Sequence, residues 1–424
     1  MDIPAELFVE SAAIDPAAPE AGRIDWAAIP AKAVVYLLTG TTEAGSDHPV
    51  LLATVGDLRA ALKRRLADNP ADIRTKRVAY GQICTRVHYR QVHSLFAANF
   101  YYAAAVRALF PETAGALIPW RTSWWIGVER DAAGATAFPR FRKTNDLSES
   151  GLAYAGPIRD KHAAARLVES LEDLFDLCRY HNILVQAPRG KACAYKEMGK
   201  CPAPCDGSET LAAYRARVNA ALAFLVDAQV EGHGARARWR STLEAQMKAA
   251  AAALKFEAAG KIKQRLTRAG LVDGEPYAAA APLEDFAFLT LQPGRGKPWI
   301  EPWIVHFAGE APIQPLPEFN VKELAVAARH LADQARFLTA NARPAALTPD
   351  QTRHAALVAH HLFKGDSDHG IWLRLAEACD PAAVVAAAEK LRARKAKPLT
   401  EQSSDVSPPG AAATEEGAEA AAEK

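Results

Sequence analysis

Met198-Gly199-Lys200-Cys201-Pro202-Ala203-Pro204-Cys205-Asp206-Gly207 is the stretch on which the reading of this chain turns. Working outward, Cys193 precedes Cys201 and Cys178 precedes Cys193, giving the spacing C-x14-C-x7-C-x3-C. Four of the six cysteines fall in this Pro- and Gly-punctuated region. Thiolates are strong ligands for soft metals, and four of them suit tetrahedral Zn²⁺ or an iron–sulfur cluster. The alternative is a set of buried free thiols, because cysteine packs well as a small apolar residue. Cys84 and Cys379 are isolated and read as structural.

Composition sets the frame. At 424 residues the chain is too long for one ordinary core, so two or three domains are expected. Hydrophobic residues make up 50% and charged residues 24%, an ordinary globular balance. A formal charge of only +2 means that nucleic acid must be met by local basic faces. Few, clustered cysteines favour a metal site in a reducing, cytoplasmic setting over a secreted disulfide framework. The first residues show no basic segment followed by an apolar run, so no signal peptide is expected. No apolar stretch reaches bilayer length, so no membrane partner is expected either.

Residues 1–27 are rich in Ala and Pro and read as a lead-in. Ala33-Val34-Val35-Tyr36-Leu37-Leu38 and Val50-Leu51-Leu52-Ala53-Thr54-Val55 read as paired strands. Asp57 can cap a helix with Leu58, Leu62 and Leu66 on one face. An amphipathic segment covers Tyr89–Phe110. Trp124–Val128 and Phe138–Arg142 read as strands about a turn at Gly134, and a helix runs from Lys161 to Leu177. Helices are also expected over Glu209–Val230 and over Arg236–Ala269, the latter broken near Leu254-Lys255-Phe256-Glu257. Beyond Pro276 come strand candidates at Phe286–Leu291 and Trp303–Phe307, then helices around Val321–Leu338 and Thr348–Phe363. The Ser-, Pro-, Gly- and Ala-rich acidic end from Pro398 cannot bury a core and reads as disordered.

Taken together, these segments resemble the UvrC family of excinucleases and its shorter Cho-like relatives. Met198–Gly207 is similar to that family's "IGRCxAPCxG" run, and Cys193 sits at the matching gap. Cys178 follows Leu174-Phe175-Asp176-Leu177, similar to "LFPLRTC", but two residues early. Leu254–Ile262, with Leu243, Met247 and Ala250 before it, resembles the UVR motif, a helical hairpin that docks on a similar hairpin of a partner. Gly151–Pro157 is similar to "RYFGPY", and Phe138-Pro139-Arg140-Phe141 to "FPRL". Val34-Val35-Tyr36 and Thr54-Val55-Gly56 stand where the GIY and YIG strands belong. The similarity covers about residues 28–272; neither the RNase H-like second nuclease nor the helix-hairpin-helix module is recognisable after it.

The resemblance implies a phosphodiesterase site, which departs from the family pattern here. Tyr36 stands at the first tyrosine and Arg64 at the catalytic arginine. Thr54 replaces the second tyrosine, removing a phenol. Asp57 replaces a lysine, placing negative charge where a phosphate would sit. Ala98 falls at the metal-binding glutamate, and a methyl group cannot hold Mg²⁺. The expected state is a nuclease shape without the chemistry, with Mg²⁺ or Mn²⁺ required only if activity survives. The resemblance also tilts the Cys178, Cys193, Cys201 and Cys205 set toward a 4Fe–4S cluster over Zn²⁺.

Simpler readings accompany these features. Leu254, Phe256, Ile262 and Leu266 can form an ordinary intramolecular stripe. Lys248, Lys255, Lys261, Lys263, Arg265 and Arg268 can be solvated helix charges. Trp120, Trp124 and Trp125 can stack on unpaired bases but more often build a core. His360, His361 and His369 lack accompanying carboxylates and read as structural, and Gly294-Arg295-Gly296-Lys297 reads as a hairpin turn.

The expected architecture is α+β. After the lead-in it places a degenerate GIY-YIG-like α/β domain at 28–160 and the helix and Cys-cluster region at 161–210. A helical region with the UVR-like hairpin follows at 211–274, then a C-terminal α+β domain of unknown type at 275–397 and a tail at 398–424. The expected function is a UvrC-like protein of nucleotide-excision repair that binds DNA or a UvrB-like helicase. The alternatives are an active metal-dependent endonuclease making a single incision, and a non-enzymatic docking adapter with a metal clip.

Overall fold

Two neighbouring runs of apolar, largely β-branched and leucine residues dictate the first sheet. In the computed structural model, which describes residues 3–41, 45–67, 78–129, 138–226, 234–341, 344–365, 369–394, 399 and 402–405, the chain forms two compact units. One comprises 1–119, 292–297 and 394–424; the other comprises 120–291 and 298–393.

In the first unit, β1 (Glu10–Ala13), β2 (Val34–Thr41), β3 (Asp47–Val55) and β4 (Arg86–Gln91) form an antiparallel sheet in the order β1-β4-β2-β3. A strand at Gln402–Asp405 pairs along the free edge of β3. Val34, Tyr36 and Leu38 of β2 point to one face, where Leu51, Ala53 and Val55 of β3 join them. Helix α1 (Leu58–Leu66) closes that face with Leu58, Leu62 and Leu66. Asp57 starts the helix by accepting the Ala60 N–H at 2.9 Å. Helix α2 (Leu95–Leu109), capped by Ser94, packs on β2 and β3.

The second unit holds two sheets. β5 (Trp124–Glu129), β6 (Phe141–Thr144), β7 (Leu152–Ile158) and β8 (Ala281–Pro282) run in the order β6-β5-β7-β8. Helix α3 (Lys161–Leu174), the Cys loop and helix α4 (Leu211–Val226) follow β7. The two helices bury Leu167, Leu171, Tyr214, Val218 and Phe224 in one core with Ile126, Val128 and Ile158. Each such side chain contributes about 1.5–3 kcal/mol of burial. A helical pair, α5 (Ala235–Ala252) and α6 (Phe256–Ala269), leads to the second sheet. There β9 (Phe288–Pro293), β10 (Trp299–Val305), β11 (Ile313–Pro315) and β12 (Phe319–Asn320) precede two helices, α7 (Leu324–Asn341) and α8 (Pro349–Leu362). β13 (Ile371–Arg374) completes the order β11-β10-β9-β13, with β12 on β10, and α9 (Pro381–Ala393) follows it. Ala328 and Leu331 of α7 share a core with Val384 and Leu391 of α9.

Several elements differ from expectation for local reasons. The Ala/Pro-rich lead-in is structured: β1 pairs β4, and Ile14 and Ile24 enter the first core. Within the segment expected to be disordered, Gln402–Asp405 is ordered by its pairing with β3. The amphipathic segment after Tyr89 is a strand ending at Gln91 and then a helix from Leu95, because Ser94 caps the helix. The division between the units falls after Pro119, which places β5–β7 with the Cys loop. The turn at Gly134 and residues 406–424 lie outside the described residues. Gly294–Lys297 does join two neighbouring strands, β9 and β10. Trp125 is wholly buried against Phe286 at 5.1 Å, and Trp120 stacks on His360 at 5.6 Å, so both are core aromatics.

Candidate functional site

The Cys loop begins where α3 ends. Leu174 closes the helix, and Asp176 then turns the chain with φ +51°, a conformation that costs a side chain about 1 kcal/mol. Two arginines hold this turn. Arg217 of α4 donates to Phe175 O at 2.7 Å and to Asp176 O, and its fork also pairs with Glu209. Arg265 of α6 donates to Leu174 O and pairs with Asp176 at 3.2 Å. Carbonyls left unpaired at a helix end are thereby satisfied by cations, which also suit the negative end of the helix dipole.

Beyond the turn, the Cys178 N–H donates to the Tyr214 hydroxyl at 3.4 Å. Gly190 N–H donates to Cys205 O at 2.8 Å, and Lys196 ties Asp206 and Ser208 at 2.6 and 2.7 Å. Gly207 (φ +81°) passes so near Pro188 that a Cβ would sit 3.1 Å from its carbonyl oxygen. The loop is thus built on its own polar contacts.

The cysteines do not form the expected metal centre. Among the described residues, no group of three or more His, Cys, Asp or Glu side chains could hold a metal ion. This overturns the expected 4Fe–4S cluster or Zn²⁺ on Cys178, Cys193, Cys201 and Cys205, and leaves the described residues without a seat for Mg²⁺ or Mn²⁺. Cys178, Cys201 and Cys205 are buried free thiols, and Cys193 is half-buried where a helical turn begins. The thiols take local partners instead: Cys178 Sγ donates to Tyr180 O at 3.6 Å, and its nearness to Cys201 holds the Cys201 thiol below its ordinary range and that of Cys178 above it. Ala203 N–H adds to the support of Cys201 at 3.4 Å. Cys205 lies within electrostatic reach of Cys201 and Cys193, which falls short of ligand geometry.

Glu172 of α3, near Tyr214, carries no sequence signal of its own. Burial raises its carboxyl from 4.5 to about 7, with Arg179 opposing and Glu169 and Asp173 reinforcing. The folded chain therefore binds this proton more tightly than the unfolded chain. That contribution is complete below pH 4.5 and is lost as pH rises through 7. Glu172→Gln should remove about 1–2 kcal/mol of the stability loss over this range, after allowance for solvent screening. Denaturant midpoints at several pH values check this: wild type should fall with pH in that window and the variant should stay flatter.

The helical pair α5 and α6 packs mainly on itself. Leu243, Met247 and Ala250 of α5 and Ala259, Ile262 and Leu266 of α6 are among its buried or half-buried apolar positions, repeating at helical spacing. Leu243 of α5 and Ala269 at the end of α6 are buried. The break falls at Leu254 (φ +58°), where Lys255 N–H donates back to Ala250 O at 2.9 Å. This turn presents Leu254 and Phe256, 74% and 68% exposed. At the base, Trp239 packs with Phe175 and Phe224, and the Arg265 guanidinium lies over its ring. The cations are not all solvated: Arg268 pairs with Asp173 at 3.4 Å, while Lys248, Lys255, Lys261 and Lys263 are exposed.

In the first unit, Tyr36 is fully buried among the residues between β2 and α1, while Arg64 is exposed on α1. Thr54 is buried on β3, Asp57 is engaged as the α1 cap, and Ala98 is buried on α2.

Comparison with known proteins bears on the second unit. Residues 125–224, from β5 through the Cys loop to α4, match the family model "UvrC/Cho excinuclease, middle domain". The chain is related to UvrABC system protein C. The proteins of that name from Moorella thermoacetica, Desulforudis audaxviator and Novosphingobium aromaticivorans are 30%, 33% and 31% identical over 148, 131 and 141 residues. These alignments cover 35%, 30% and 33% of this chain. They span only 23%, 20% and 20% of the relatives' lengths. No solved structure matches the chain. No helix among the described residues is long and apolar enough to cross a membrane.

Proposed function

We propose that this chain is a UvrC-related DNA-repair protein that binds DNA and docks on a UvrB-like helicase through the α5–α6 turn. The observation that carries this reading is the similarity of residues 125–224 to the UvrC middle domain. The hairpin supports it from outside that segment: an apolar pair at an exposed turn is suited to burial against a partner. The exposed Lys248, Lys255, Lys261 and Lys263 on the same pair supply phosphate contacts.

We place no phosphodiester chemistry in the first unit. Tyr36 is enclosed by its core, where a phenol cannot meet a phosphate without unpacking β2 from α1. Asp57 spends its carboxylate on a helix cap. Arg64 is a surface residue of α1.

Mobility shift on nicked and bubble DNA at two salt concentrations tests the DNA half. Four lysine contacts would make the affinity fall by roughly an order of magnitude or more between low and physiological salt. No shift at either concentration would refute DNA binding. A parallel nicking assay should give no product; nicking lost in both Tyr36→Phe and Arg64→Ala would overturn the non-catalytic reading.

A further inference from the structure

The second unit contains a cavity of about 390 Å³ outside the UvrC-related segment. Phe288 of β9, Trp372 and Arg374 of β13, Phe363 at the end of α8, Glu275 and Glu377 line it. Phe288 and Trp372 meet edge to face, with centroids 5.9 Å apart and planes at 83°, which makes an aromatic corner. The Arg374 guanidinium lies over the Phe288 ring at 5.6 Å and donates through Nη2 to Ala279 O at 3.2 Å. Its Nη1 is sealed from solvent and has no hydrogen-bond partner among the described residues. A buried charged donor without an acceptor is costly, and a small rotation of the guanidinium toward the cavity would let a seated ligand supply that acceptor.

The charges select the ligand. Glu275 is neutralised by Arg159, which pairs with it and also donates to Phe363 O at 3.1 Å. Glu377 accepts the backbone N–H of Arg374 at 2.9 Å, and its charge acts on the guanidinium of the same residue. Two acids thus stand against two arginines, so neither an anion nor a cation gains from the site as a whole. A neutral, planar molecule does: one face stacks on Trp372 and its rim meets Phe288, while its polar edge offers an acceptor to Arg374 and a donor to Glu377. The volume lies within the usual range for small-ligand sites.

We infer that this cavity binds a nucleobase, presented by a single strand. Nucleobases combine an aromatic face with adjoining carbonyl and amino groups on one edge, and proteins hold extruded bases by stacking and edge contacts. The assignment deepens the DNA-binding reading above and rests on it for the source of the base.

The test compares the full chain's affinity for a short guanine-containing single strand with that for a strand of equal length and charge whose central positions are abasic. The abasic strand should bind about tenfold more weakly. Trp372→Leu should erase that difference by weakening the guanine-containing strand alone. Glu377→Gln, at an exposed position where the amide still accepts the Arg374 backbone N–H, should reduce it and guards against misfolding of the first variant. Equal affinity for both strands, or a difference that persists in both variants, overturns the inference while leaving DNA binding intact. If neither strand binds, the DNA reading fails and free guanosine decides the cavity. Saturation transfer to guanosine that is lost in Trp372→Leu supports a free-nucleoside site; no transfer overturns the cavity's role.

Discussion

Arg217→Ala should lower the stability of the chain by about 3–5 kcal/mol, the range for breaking a buried ion pair. Arg217 ties α4 both to the turn after α3 and to the segment that leads into α4. Its Nε donates to Glu209 at 2.9 Å, its Nη1 to Phe175 O at 2.7 Å, and the same guanidinium reaches Asp176 O. Truncation strands Glu209, whose side chain is only 8% exposed, and takes a donor from the carbonyls at the end of α3. The left-handed Asp176 would then lose a support that offsets its backbone cost. For a unit of this size the expected fall in melting temperature is about 10 °C. Arg217→Lys keeps the charge but not the planar fork and should recover less than half of the loss. Melting curves of the two variants check this; a shift below about 2 °C for Arg217→Ala would show that the turn does not depend on the clamp.

Where the sequence was legible, an apolar pattern coincided with a local signal. The runs at Val34–Leu38 and Val50–Val55 do form the β2–β3 pair, and Asp57 marks the start of α1. The break near Leu254 was readable from the interrupted apolar stripe, although its left-handed backbone was not. The N-terminal segment was not legible, because Ala12 and Ser11 carry little strand signal of their own; pairing along β4 supplies the order. β4 was hidden because Arg86, His88 and Arg90 make its other face polar, and the adjoining helix dominates the pattern.

The site was harder to read. Cysteine spacing gives the type of ligand but not where each sulfur points. Here the loop turns at Gly199, Ala203 and Gly207 without assembling a ligand set. The resemblance puts Tyr36 at a nuclease position, yet the pleat that makes β2 a core strand also encloses its side chain. The arginine clamps on Asp176 and the aromatic cavity of the second sheet depend on residues distant in sequence, so no local pattern announces them.

The second large effect concerns docking. Leu254 and Phe256 are exposed on a turn whose helices keep their seam further down, so changing them touches little of the fold. Stability should therefore move by no more than about 0.5 kcal/mol in the Leu254→Asn/Phe256→Ser double variant, and Asn tolerates the left-handed turn. Binding to a UvrB-like helicase should fall about a hundredfold, the scale on which paired hot-spot side chains act. Exposed lysines on the same arm would leave a salt-sensitive remainder of the affinity.

Calorimetric titration of a UvrB-like helicase with the full chain and with this double variant tests docking most directly. Wild type should bind saturably with a negative heat-capacity change from buried apolar surface, and the equally stable variant about a hundredfold more weakly. Absence of binding by wild type, or equal binding by both, would contradict the proposed role of the turn.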